Sequence, residues 1–328
     1  MKNNQLSGAE HAKDLKAIVK NHPSLHVIDF SNSEMNVNKN KLRNTGAIAI
    51  VEGIMESTDV GHSLIGDINL SYNYLTAECL PHFARLNDPD FVQLQSLNLS
   101  YNALGPDSIR ILAPILSTVL SLNLSNTKLN NQSITDFVEV YRCQCMSLRE
   151  LDVHANLITA EGFHDLLACL KTNNKVSKLW LSRNQVAADL DLFKIIHTFL
   201  SCNKTLELLD LSFCDLDERA GELIGRGLRG NRYLQSLNLK GNPIKSGVVE
   251  IARAFRQNTV ALCIKDLDIS KCQLTCQHIT QDFLDMIQCP FTTLKTLNIR
   301  DNFIKYKGSQ LIRDALDDNK TIVKLSLD

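Results

Sequence analysis

The sequence predicts an α/β solenoid, with short parallel strands lining a concave face and helices packed on a convex face. Three observations carry this expectation. First, a frame reading L-x-x-L-x-L-x-x-N-x-L returns along most of the chain. Its first residues are Ile65, Leu94, Val119, Leu148, Val176, Leu206, Leu234, Ile264 and Leu294, and Ile322 opens a truncated last copy. Second, the spacings run 29, 25, 29, 28, 30, 28, 30, 30 and 28 residues, a sustained period of a repeat architecture. Third, each period splits into an alternating strand-like piece, a turn, and about three helical turns rich in Leu, Ile and Ala. A strand this short cannot stand alone, and one helix cannot bury its own apolar face. Stacking period on period buries both, and strands joined through helices must run parallel.

Taken in order, residues 7–21 read as a helix, with Leu15, Ile18 and Val19 on one face and His22-Pro23 closing it. Leu25, Ile28 and Phe30 give a degenerate first strand. A polar loop, residues 33–41, delays a second helix over 44–56. Residues 1–64 are thus degenerate N-terminal repeats, 65–321 nine regular repeats and 322–328 a truncated strand, all in one domain. Thr76, Thr159 and Thr275 stand where a helix N-cap belongs, and Asn173, Gly230, Asn258 and Asn319 where helices should end. The shortened repeat at Leu94 carries Pro106, suited to a first helical turn, and Pro114, suited to bending one. The last copy stops in a strand, exposing an edge and an apolar end through residues 322–327.

The ninth frame place is Asn73, Asn102, Asn156, Asn184, Asn242 or Asn302, replaced by Thr127, Cys214 and Cys272. A buried amide there satisfies backbone groups freed as the chain leaves the strand; Thr and Cys are small and offer one weaker donor.

Composition bounds the rest. Across 328 residues the hydrophobic content is 44% and the aromatic content 6%, so the core is mostly Leu and Ile. A net charge of −1 gives no general attraction to nucleic acid or anionic membrane. No run of eighteen apolar residues suggests a membrane span, and the N-terminus lacks a signal-peptide core. Ten cysteines without paired spacing fit a reduced, cytosolic thiol set.

LQSLNLSYNAL (94–104) and LQSLNLKGNPI (234–244), with helical tails such as TAEGFHDLLACLKTN, resemble leucine-rich repeats. The 28-to-30 period and the Asn/Cys exchange are similar to the ribonuclease-inhibitor class of that family. The resemblance implies a horseshoe whose concave face binds another protein, without catalysis. It leaves the ligand open, because the exposed places vary freely. Ran GTPase-activating proteins share the repeat class, but no motif that would carry their activity is present.

Several patterns invite chemistry. Gly225-x-Gly227-x-x-Gly230 spells a dinucleotide fingerprint, but it closes a helix instead of opening one. Cys143-x-Cys145 and Cys272-x3-Cys276 have no second pair at zinc-ligand spacing. His154 and Asp152 share a sheet face with no nucleophile beside them. No metal and no cofactor are expected.

Binding is the stronger expectation. The fifth frame place is Asn or Asp in every full copy except the one holding Trp180, the sole tryptophan. The eighth place carries Tyr72, Tyr101, Arg183 and Phe213. Trp, Tyr and Arg dominate interface hot spots, and an exposed aromatic cluster is costly without a partner. Trp180, Arg183, Phe213 and His154 are expected to cluster, with Tyr101 and Tyr72 extending the apolar contact. Arg226, Arg229, Arg253 and Arg256 form a further candidate, a basic patch on neighbouring helices, against which stands an ordinary solvated surface. The expected function is a non-enzymatic protein-interaction module. The alternatives are a structural subunit held end to end through residues 322–327, or a regulatory accessory of a GTPase-type protein.

Overall fold

In a computed structural model the described residues are 5–22, 24–32, 40–57, 65–87, 94–143, 147–186, 189–257, 262–289, 293–317 and 319–327. Most of the 33–41 loop, Asn258 and Cys145 therefore lie outside them. The chain divides into two compact units, Met1–Leu157 and Ile158–Asp328.

In the first unit the strands are Val27–Asp29 (β1), Asp67–Asn69 (β2), Ser96–Asn98 (β3), Ser121–Asn123 (β4) and Glu150–Asp152 (β5). The helices between and around them are Gly8–Lys20 (α1), Arg43–Glu56 (α2), Leu80–Phe83 (α3), Ser108–Leu112 (α4) and Asn131–Cys143 (α5). All strand pairs are parallel and unshifted, so Ile28, Ile68, Leu97, Leu122 and Leu151 form one row. That row is at most 3% exposed. Its burial on one face, with polar residues either side, is what a period of two requires.

The second unit repeats the plan with strands Lys178–Trp180 (β6), Leu208–Asp210 (β7), Ser236–Asn238 (β8), Asp266–Asp268 (β9), Thr296–Asn298 (β10) and Lys324–Ser326 (β11). Its helices are Ala160–Leu170 (α6), Leu190–Cys202 (α7), Glu218–Leu228 (α8), Val248–Gln257 (α9), Gln281–Gln288 (α10) and Lys305–Leu316 (α11). The strands pair parallel in register, placing Leu179, Leu209, Leu237, Leu267, Leu297 and Leu325 in one row. The architecture is an α/β leucine-rich repeat solenoid.

The ninth-place residues bind as their chemistry demands. Asn102 is 4% exposed. Its oxygen accepts the N–H groups of Asn73 and Leu75, both at 2.9 Å, one repeat earlier. Its amide nitrogen donates to the carbonyls of Leu70, Leu99 and Ser100. Asn156, Asn242 and Asn302 repeat this arrangement with Thr127 and Leu129, Cys214 and Leu216, and Cys272 and Leu274. Thr127 and the two cysteines supply only the donor half: Thr127 Oγ1 bonds the Leu124 carbonyl at 2.6 Å, and Cys272 Sγ that of Leu239 at 3.3 Å.

The missing acceptor changes the turn beneath. Where the next repeat offers Thr or Cys, the eleventh-place N–H turns back on its own chain. Leu104 donates to Asn102 O, Val186 to Asn184 O and Ile244 to Asn242 O. The turn of one repeat is thus set by a residue about one period later.

The helix ends correct two expectations. Thr275 caps as expected, in a capping box with His278. The Thr76 hydroxyl instead accepts from the Asn44 amide. Asp189 and Asp217 supply side-chain N-caps to α7 and α8. The α8 end is closed by Asn231, not Gly230: Asn231 accepts from the N–H groups of Tyr233 and Leu234 and donates to Leu200 O. Asn173, Asn203 and Asn319 cap the following strand in the same way. In the short repeat, α4 gives way to a 3-10 turn, Ala113–Ser117, with Pro114 in its first positions.

The glycine triplet serves packing. A Cβ on Gly225 would lie 2.3 Å from the Glu250 carbonyl carbon, and one on Gly227 would lie 2.8 Å from the His197 oxygen. The two glycines let α9 and α7 approach α8 from either side.

Candidate functional site

The fifth frame place explains itself once hydrogen bonds are traced. The side-chain oxygen of each Asn or Asp accepts the backbone N–H two residues on, closing the strand exit. In the first unit Asn69, Asn98, Asn123 and Asp152 serve Ser71, Ser100, Ser125 and His154. In the second unit Asp210, Asn238, Asp268 and Asn298 serve Ser212, Lys240, Ser270 and Arg300. An indole has no such acceptor. Trp180 therefore leaves the N–H of Ser182, itself 7% exposed, without the cap its neighbours enjoy. Trp180 is half-buried, with Asp210 as its register partner.

Eighth-place residues leave the strand through left-handed backbone, at φ +58° for Tyr72, +56° for Tyr101, +55° for Arg183 and +54° for Phe213. In the first unit the Tyr72 and Tyr101 rings stack at 4.0 Å with 10° between planes. His154 meets Tyr101 edge-on at 6.3 Å. Its Nδ1 lies 2.7 Å from Asp152 Oδ1, which orients the ring. The intervening repeat carries Ser125 and Asn126, short enough to let Tyr101 and His154 approach.

The second unit builds a different group. The Arg183 guanidinium sits 4.7 Å from the centre of the Phe213 ring. Under that ring lies Gly241, where any Cβ would fall 2.4 Å from Phe213 Cδ1. With Asp215, Gln185 and Val186 these residues line a surface depression of about 650 Å³. Sequence reasoning placed Arg183 beside Phe213 and missed Gly241. The signal was available, since Gly241 is the only glycine in the eighth column. It also missed Tyr74, the neighbour of Tyr72 but for one residue, which is 56% exposed.

Among the described residues the arginines of the basic patch have carboxylate partners. Arg229 and Arg253 both bind Glu250, and Arg253 Nε reaches Asp282 at 2.8 Å. Arg226 lies 3.6 Å from Glu222. The Arg229–Glu250 and Arg253–Asp282 pairs tie the end of α8 to α9 and α9 to α10; the Arg256 side chain lies outside the described residues. The cysteine columns are likewise structural. Burial pushes the Cys79, Cys214 and Cys272 thiols up to about 12, so they stay protonated and poor as ligands or nucleophiles. Among the described residues no three His, Cys, Asp or Glu side chains gather as a metal site. No described helix is long and apolar enough to cross a membrane.

Leu327, just after β11, borders two apolar depressions: one of about 440 Å³ with Phe303, Ile304 and Tyr306, and one of about 290 Å³ with Tyr306, Leu316 and Leu325. Tyr306 and Val323 are 82% and 84% exposed.

Known proteins share the repeat and the fold. A leucine-rich repeat family model matches residues 94–113, 202–225 and 230–247. The chain is 26% identical over 242 residues to human NACHT, LRR and PYD domains-containing protein 5, covering 71% of this chain and 20% of that protein. The bovine counterpart is 26% identical over 293 residues, covering 81% of this chain and 26% of that protein. The chain thus spans about a fifth to a quarter of those relatives' length. Pig ribonuclease inhibitor is 25% identical over 304 residues, covering 90% of this chain and 63% of the inhibitor. A chain from the yeast Rad7 and Elc1 complex superposes with TM-score 0.52 at 16% identity, over 90% of this chain and 75% of that one, a likeness of fold.

Proposed function

We propose that this chain, a leucine-rich repeat protein of ribonuclease-inhibitor-like type, binds a protein partner through the open face of its strands, without catalysis. Proteins built from these repeats generally mediate protein–protein interaction. Each unit contributes a patch. Trp180 anchors the partner in the second unit, beside Phe213 and Arg183. Tyr72, Tyr101 and His154 offer a rigid aromatic contact in the first. The free thiols of the described cysteines suit a reducing, cytosolic setting.

One observation supports this reading above the others. The fifth place closes the strand exit in every strand from β1 to β10 except β6, where Trp180 gives up that hydrogen bond. A local rule broken at one place, by the residue type most enriched in hot spots, points to a binding role. Affinity capture from the native host, with wild-type and Trp180→Asn protein, tests it. The variant should weaken the partner by roughly 2 kcal/mol or more and keep its fold. Equal capture by both proteins would remove Trp180 from the interface.

The apolar depressions beside β11 favour a second reading, a subunit of a larger assembly joined through residues 322–327. Val323→Lys with Tyr306→Asp should then abolish that assembly in sedimentation while Trp180→Asn leaves it intact.

A further inference from the structure

The depression at Arg183 has chemistry of its own. Arg183, Phe213 and Gly241 hold the eighth place in three successive repeats, so they lie side by side across β6, β7 and β8. Gly241 has φ +73° and no Cβ, which lets the Phe213 ring lie down on its backbone. The ring in turn carries the Arg183 guanidinium on its upper face at 4.7 Å. A guanidinium laid on a ring keeps its in-plane N–H donors directed outward, and less rotamer entropy is lost when they are used. Arg183 is exposed, and among the described residues it forms no ion pair within 4.0 Å. This holds although Asp215 lines the same depression. By contrast Arg229 and Arg253 are both neutralised by carboxylates.

We propose that Arg183, positioned by Phe213 on the Gly241 seat, is the receptor for a carboxylate, an Asp or Glu side chain of the protein partner. A planar fork matches a carboxylate through two parallel hydrogen bonds. Asp215, which lines the same depression, repels a phosphate dianion more strongly than it repels a monoanionic carboxylate. Phe213 and Gly241 act as positioning residues, since neither donates to the ligand. The inference rests on the strand face being the binding face, and it adds the kind of group that face reads.

NMR of the uniformly 15N-labelled full chain, titrated separately with N-acetylglutamate α-amide, a monoanion, and with inorganic phosphate, tests the assignment. In the wild type the Arg183 Nε–H resonance should move saturably with N-acetylglutamate α-amide, while that of Arg300, an exposed arginine just after β10, moves little. Phe213→Leu, which keeps the ring site apolar, should weaken the Arg183 response about fivefold without unfolding the repeat. Arg183→Lys should remove the resonance and leave a titration in backbone amides of residues 213–215 at least about tenfold weaker. Equal responses at Arg183 and Arg300, an unchanged affinity in Phe213→Leu, or tighter binding of phosphate than of carboxylate would each overturn the proposal. None of these outcomes depends on a partner being captured through Trp180, so the two ideas fail separately.

Discussion

Trp180 and Asp210 face each other in register across β6 and β7, yet only Asp210 closes its own strand, accepting the Ser212 N–H at 2.8 Å. The indole offers nothing equivalent to Ser182. Replacing Trp180 by Asn should therefore restore the shared cap and stabilise the protein by roughly 0.5–1 kcal/mol. That figure is what remains after the loss of apolar contact from a half-buried ring. Urea denaturation with the slope monitored is the check, and a lower midpoint would show the ring to be chiefly a packing element. A stabilised variant that binds less well would be a trade of stability for function.

The ninth column allows a graded test. Asn102→Ala strips partners from two N–H groups and from the carbonyls of Leu70 and Leu99 in a buried turn. The expected loss is about 3 kcal/mol or more, because each orphaned buried group costs about 1 kcal/mol. Cys272→Ala removes one weak donor, and the turn beneath already closes on itself, so about 1 kcal/mol is expected. Comparable losses would refute the division between amide and thiol repeats. Native protein should also resist thiol alkylation at Cys214 and Cys272 near pH 8, while exposed Cys202 reacts, as mass spectrometry would show.

His278 gives a pH signature. Its Nδ1 accepts the Thr275 N–H at 3.0 Å, so the cap needs the neutral ring. Burial holds its pKa below the usual 6.5, with Lys245 adding in the same direction and Glu218 opposing. The unfolded chain thus binds the proton more readily, and the native state loses stability as pH falls below about 6.5 toward the folded pKa. His278→Gln keeps an acceptor at the same capping place and should flatten this slope. An unaltered pH profile of thermal midpoints in that variant would assign the effect elsewhere.

Gly225→Ala should be among the most damaging single-methyl changes in the chain. The added carbon meets backbone atoms of Glu250 and Ile251 at 2.3 and 2.5 Å, and backbone cannot swing aside as a side-chain tip can. A destabilisation of roughly 1–3 kcal/mol is expected. Gly230→Ala is the control, since nothing lies within 4 Å of its Cβ position. Similar midpoints for the two variants would argue against close packing of α8 and α9.

Much of the architecture was legible in the chain. The Leu places, the period and the Asn column belong to each repeat by itself, and local alternation dictates which face is buried. The ladder of Asn and Asp in the fifth column was visible as a pattern, but its purpose was not, because the N–H it serves is a backbone group. Arg226, Arg229 and Arg253 read as a basic patch only while the chain is a string; Glu250 and Asp282 neutralise the last two from adjacent helices.

The sequence by itself determined the solenoid and the places where side chains emerge from it. Tertiary structure alone decided what those side chains meet: that Cys272 leaves the Ile244 N–H to its own repeat, that Tyr101 reaches past Asn126 to His154, and that Gly241 carries Phe213 and so Arg183. The physical reason is that every one of these contacts is made between repeats. A repeat's sequence fixes its own strand, whereas its turn and its exposed face are completed by groups about one or two periods away.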